Sequence, residues 1–201
     1  MHHITHIKNL ENILKAGGLI ARNFLEREFT DTANHDIISN RKCINGEDLN
    51  NFVPFHNDHL QKEYGISYNF DVCETYGKEN MIYLIFNPSE VTSSPFGKYL
   101  FYVYHPASTY AELCQNLGVL TIKLNEELKC LPKLSSCNRL NLRSKKVQKY
   151  LMSEILIHEY VSLRHLKFIY VYNEEIKDKV ENYLKKYNFN GIKVEVEKTF
   201  Y

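Results

Sequence analysis

Apolar and polar positions alternate through His2 to Ile7, the pattern of a half-buried strand. Over Asn9 to Ala16 the period changes: Leu10, Ile13 and Leu14 share one face, and Gly17-Gly18 follow, which predicts a short helix and its stop. Ala21 to Asn51 is polar and aperiodic, a length of irregular chain that in a compact domain is usually functional. Phe52 to Phe55 predicts a short strand, and His56 to Tyr76 is polar with scattered aromatics and some helical character. Met81 to Phe86 is a continuous apolar run stopped by Asn87-Pro88, the signature of a strand buried on both faces. Tyr99 to Tyr104 is a second such run, and Ala107 to Leu117 predicts a short helix. Leu120 to Leu134 shows no clear period. Lys167 to Tyr172 predicts a strand, Glu174 to Tyr187 a helix through Ile176, Val180 and Leu184, and Ile192 to Val196 a final strand. The order of elements predicts an α+β fold with antiparallel sheets rather than a repeated strand–helix alternation.

One polar residue breaks an apolar run. Glu154 stands in Met152-Ser153-Glu154-Ile155-Leu156-Ile157, which otherwise predicts a buried strand. A carboxylate there costs several kcal/mol unless it is partnered or opens on a cleft. It is therefore either a cleft acid or a surface acid on an edge strand. On the first strand His3 and Thr5 share a face and His6 points to the other.

Composition narrows the classes. The chain has 201 residues, enough for one domain with a full core, and its net charge is +1, which excludes a histone-like binder that works by bulk charge. A local basic groove stays open, because the field follows the distribution of charge. The five cysteines (Cys43, Cys73, Cys114, Cys130 and Cys137) form no Cys-x-x-Cys pair, and no histidine spacing suits a metal, so no metal site is expected. No apolar run approaches the roughly 20 residues that cross a bilayer. Without a signal peptide, free thiols in a reducing cytoplasm are expected. Neither a Gly-x-Gly-x-x-Gly after a strand nor a Walker sequence is present, which removes the dinucleotide-fold and P-loop readings.

Four segments in order carry a resemblance. His3-Ile4-Thr5-His6-Ile7-Lys8-Asn9-Leu10 with Ile13-Leu14-Lys15-Ala16-Gly17-Gly18-Leu19 resembles the start of the DarT family of DNA ADP-ribosyltransferase toxins. His35-Asp36-Ile37 with Arg41 resembles the basic element of that family's NAD-binding loop, Val53-Pro54-Phe55 the strand after it, and Ser153-Glu154-Ile155-Leu156-Ile157 the block with its catalytic glutamate. The resemblance implies a single domain over 1–201 with an ADP-ribosyltransferase-like split antiparallel β-sheet core and flanking helices. It implies NAD as the consumed substrate and single-stranded DNA as the target. It also implies a toxin or anti-phage role and a macrodomain antitoxin as partner. Glu154, Arg41 and His105 would be catalytic. His3, Thr5, His6, Gly18 and Arg41 would contact NAD, with His6 left open between that role and a structural one.

The chemistry agrees with that set. Breaking the bond between ribose and nicotinamide builds oxocarbenium character, as in glycoside hydrolysis. It needs cations or amides for the diphosphate, a grip on the ribose, and one carboxylate near the reacting carbon. The basic stretch before Glu154 supplies Arg139, Arg143, Lys145, Lys146 and Lys149 as candidate contacts to a nucleic-acid backbone, with Tyr64, Tyr68 and Phe70 as stacking candidates. His35, His56, His59, His158 and His165 are expected at the surface. Relatives usually continue Val-Pro-Phe with an aromatic and a Pro-Arg-Ser-Pro-Met-like stretch. Here His56-Asn57-Asp58-His59 follows instead, and Leu151-Met152-Ser153 replaces a Lys-Gln-Ala. These departures fall where nucleic acid is expected, so RNA or protein as target, or a non-catalytic nucleic-acid-binding domain that kept the fold, are the alternatives.

Overall fold

The structure is a computed structural model that describes residues 1–32, 47–56, 70–95, 97–103, 106, 111–129 and 153–201. The strands are β1 (His2–His6), β2 (Gly18–Ile20), β3 (Phe52–His56), β4 (Met81–Phe86), β5 (Tyr99–Val103), β6 (Glu112–Cys114), β7 (Glu154–His158), β8 (Tyr160–Ser162), β9 (Leu166–Val171) and β10 (Lys193–Val196). The helices are α1 (Leu10–Ala16), α2 (Phe70–Tyr76), α3 (Pro88–Val91), α4 (Leu117–Lys129) and α5 (Glu174–Lys186). The α+β class stands. Eight strands form one sheet in the order β10-β9-β4-β1-β3-β7-β5-β6, and β2 and β8 form a small second pair. The large sheet is antiparallel except for β9 and β10, which run parallel because α5 carries the chain back between them. Among the described residues no helix is long and apolar enough to cross a membrane.

Sequence explains most of this. β4 is buried at all six positions, as its unbroken Met-Ile-Tyr-Leu-Ile-Phe run requires of a central strand. In α5 Ile176, Val180 and Leu184 are buried at helical spacing, and Asn173 accepts from the Ile176 N–H to cap the helix. Gly17, at φ 67°, ends α1 in the left-handed conformation that glycine adopts without strain.

Two expectations fail. In place of a helix over Ala107 to Leu117, Glu112–Cys114 is a strand on β5, with Leu113 facing solvent and Cys114 buried. The aperiodic stretch from Leu120 belongs to α4 as far as Lys129, residues 130–134 lying outside the described residues, and Asn116 caps this helix through the Val119 N–H. Among its described side chains, Ile122 is exposed while Leu120 is buried, two apolar residues on opposite sides of the helix, so periodicity does not reveal it.

β2 and β8 were missed for their brevity, yet they fix the sheet's neighbour. Gly18 lies opposite Ser162, and a Cβ there would overlap the Tyr160 ring and the Val161 carbonyl. Gly18→Ala should therefore destabilise the fold by about 1–3 kcal/mol, the usual cost of overpacking. Gly191→Ala, with nothing near the added Cβ, should stay within about 0.5 kcal/mol of wild type. Denaturant titration of both variants checks this, and equal stabilities would contradict it.

Candidate active site

The sheet divides between β1 and β3. All five residues of β1 pair with β4, but among the described residues β1 meets β3 only where His2 lies opposite His56. Pro54 explains the parting. A strand residue turns its N–H and C=O to the same edge, and the Pro54 carbonyl faces β1, where it lies 2.9 Å from His3 Nδ1. Proline has no N–H to give at that edge, so the ladder cannot continue. The His3 side chain spans the gap instead. A carbonyl only accepts, so Nδ1 carries the hydrogen and Nε2 of the neutral ring is an acceptor.

At this split opens a cavity of about 640 Å³. That is the size of a small-molecule or cofactor site. His3, Ile4 and Thr5 line it from β1, Val53, Pro54 and His56 from β3, and Glu154 from the start of β7. Glu154 is 1% exposed, and it is the one buried carboxylate among the described residues. It forms a cross-strand row: His2 pairs with His56, His56 with Glu154, and Glu154 with Tyr102 on β5. Register partners point to one face, so the row presents two imidazoles, a carboxylate and a phenol side by side.

The segment after β2 folds over the cavity. Asn9 holds it: its amide N–H donates to Thr5 Oγ1 (3.0 Å) and the Thr30 carbonyl (2.9 Å), and its oxygen accepts from the Thr30 N–H (2.7 Å). Arg22 clamps Asp31 bidentately at 2.7 and 2.9 Å, with its guanidinium over the Phe29 ring at 5.1 Å. Residues 24–32 all line the cavity.

The sequence-predicted residues separate clearly. His3, Thr5, Gly18 and Glu154 come together around one cavity. His6 does not line it. Its Nδ1 accepts from the Lys8 N–H and its ring packs edge-on against Tyr76. Arg41, His105, Arg139, Arg143, Lys145, Lys146 and Lys149 lie outside the described residues, as do Tyr64 and Tyr68. His56, expected at the surface, is buried in the cavity wall because β3 runs one residue further than Phe55. Asn9, Arg22 and Asp31 were missed. The Asn9 position in the His-Ile-Thr-His-Ile-Lys-Asn motif was a readable signal, whereas the Arg22–Asp31 spacing was not. No group of three or more His, Cys, Asp or Glu among the described residues is placed to hold a metal.

Burial sets the charge of the β1 histidines. It is the largest cause pushing His2 well below the ordinary imidazole value, with the amino terminus and His3 adding to it. Burial also lowers His3 against the opposing Pro54 hydrogen bond, and lowers His6 together with Lys8 and Lys179. All three are therefore neutral near pH 7. The unfolded chain binds protons at these sites below about pH 6.5 while the fold resists them, so stability is present above that value and lost as pH falls. The urea midpoint should drop between about pH 7.5 and pH 5. A midpoint that is flat over that window would contradict the burial of neutral histidines.

Comparison with known proteins follows the same architecture. The chain is similar to the solved Thermus sp. 2.9 DarT in complex with ADP-ribosylated ssDNA, with a TM-score of 0.73 at 22% identity, covering 100% of this chain and 94% of that one. It is similar to the same protein in complex with NAD+, with a TM-score of 0.67 at 21% identity, covering 100% and 96%. It also matches Thermosipho africanus DarTG in complex with ADP-ribose, with a TM-score of 0.70 at 17% identity, covering 99% of this chain and half of that one. At these identities the likeness shows the fold. A comparison with curated protein sequences gave no match. The sequence itself matches a family profile described as "ssDNA thymidine ADP-ribosyltransferase, DarT" over residues 2–201, and with that match across nearly its whole length the chain belongs to the DarT family.

Proposed function

We propose that this chain transfers ADP-ribose from NAD+ to thymidine in single-stranded DNA, with Glu154 as the catalytic carboxylate. The observation that carries the reading is a buried carboxylate at the wall of a cavity that opens where the sheet splits. In the reaction the bond from ribose C1′ to the nicotinamide nitrogen breaks, and its electron pair leaves with nicotinamide. Glu154 stabilises the positive charge that develops on the ribose and accepts the proton released as the base bonds to C1′. His3 Nε2, an acceptor fixed by the Pro54 bond, holds a ribose hydroxyl. The Thr5 hydroxyl, which already accepts from Asn9, has its own hydrogen left to donate. Gly18 keeps the wall beside β8 free of a side chain. Arg41 takes the diphosphate, as its guanidinium fork suits, and His105 assists at the acceptor. His6 serves only the β1 turn.

The family's description and the ADP-ribosylated ssDNA bound by the Thermus relative support the target. Arg139, Arg143, Lys145, Lys146 and Lys149 supply backbone contacts, and an unpaired strand is preferred because chemistry on a base needs it unstacked. In this reading the chain acts as a toxin in the cytoplasm with a macrodomain as antitoxin, as the resemblance to the DarT family implies. The whole of 1–201 acts as one domain in this reading.

Labelled NAD+ with a panel of oligonucleotides, RNA and protein, followed by mass spectrometry, tests the proposal. The expected product is an ADP-ribose adduct on thymidine of single strands. Glu154→Gln should lose about 100- to 1,000-fold in rate while keeping its fold and NAD affinity. Wild-type transfer by that variant would remove Glu154 from the mechanism. Labelling of RNA or protein alone would overturn the target.

A further inference from the structure

Glu154 has two tasks that conflict. It must stay anionic to stabilise the ribose cation, yet it must also take the proton of the acceptor. We infer that His56 is a positioning residue for Glu154, the imidazole to which the carboxylate passes that proton. The inference rests on the proposed transfer reaction.

Three observations carry it. His56 is the register partner of Glu154 across β3 and β7, which sets their Cβ atoms about 4.5–5.5 Å apart on one face. Both residues are buried and both line the same cavity. The neighbour on the other side, His2, has its ring centroid 5.6 Å from that of His56 and stands against the rings of Tyr83 and Phe200. His2 is held neutral by burial, so no cation there opposes a proton on His56. Among the described residues, Glu154 from β7 and neutral His2 from β1 flank His56 in the row. The Tyr83 phenol of β4 and the amino terminus lie beyond His2, Tyr102 of β5 lies beyond Glu154, and the Arg22–Asp31 clamp lines the same cavity.

The step balances. The acceptor's bond to hydrogen breaks and the proton bonds to a Glu154 oxygen. It then moves to the lone pair of a neutral ring nitrogen of His56, leaving the carboxylate anionic and an imidazolium that gives its proton to water. With an imidazole as final acceptor, transfer falls away on the acid side as His56 becomes protonated, within about pH 5–8.

The pH dependence of kcat in His56→Phe and His56→Gln tests this. Both variants should lose about 100-fold in kcat near pH 7.5, keep KM for NAD+ within about twofold, and move the acid limb to lower pH, since Glu154 must then hold the proton itself. Wild-type kcat and acid limb in either folded variant would overturn the inference. NMR titration of the His56 ring in wild type and Glu154→Gln gives a measurement that needs no His56 variant. His56 should titrate at lower pH without the carboxylate, and an unchanged titration overturns the inference. An inactive Glu154→Gln with an unmoved acid limb in His56→Phe refutes the role of His56 alone, whereas an active Glu154→Gln refutes the transfer reading as well.

Discussion

The site depends on a hydrogen bond that a proline cannot make. Pro54 stands on the edge of β3 that faces β1 and offers only a carbonyl. A continuous ladder there would bring β1 and β3 to the usual spacing of about 4.8 Å and close the cavity. Instead the strands part after the His2–His56 pair, and a side chain rather than backbone crosses the gap. The bond that bridges the gap also fixes the His3 tautomer. One backbone omission thus opens the cleft and decides which ring nitrogen faces a ligand as an acceptor.

Much of this was legible in the chain, and the illegible parts share a cause. β4, α5 and β1 announce themselves because burial imposes a period on a continuous segment. Glu154 was legible because an acid in an apolar run demands an explanation. The remaining features belong to pairs of residues distant in sequence. Asn9 meets Thr30 across 21 residues, and His3 meets Pro54 across 51. No local pattern encodes which partner a side chain will find, so Asn9 read as an ordinary helix start and Pro54 as part of a motif. His56 was misplaced for a related reason: a polar residue at the end of a short strand resembles a loop residue until the neighbouring strands are known. The split sheet itself came from the family resemblance, because periodicity says which residues are buried but not where a ladder breaks.

The electrostatic design of the cleft follows from the same geometry. A strand delivers every second residue to one face, so the row through His2, His56, Glu154 and Tyr102 concentrates ionisable groups where an all-apolar sheet would place methyls. Such a row is stable only if few of its members are charged at once. Burial keeps His2 neutral and raises Tyr102 above its ordinary value, which also leaves it neutral. These two members therefore add no charge of their own beside the carboxylate. A carboxylate this deeply buried acts strongly on a cation forming nearby, because little solvent intervenes. The cost of burying that acid and the strength of its action on an oxocarbenium are thus two consequences of one placement, the start of β7 at the edge of a split that Pro54 keeps open.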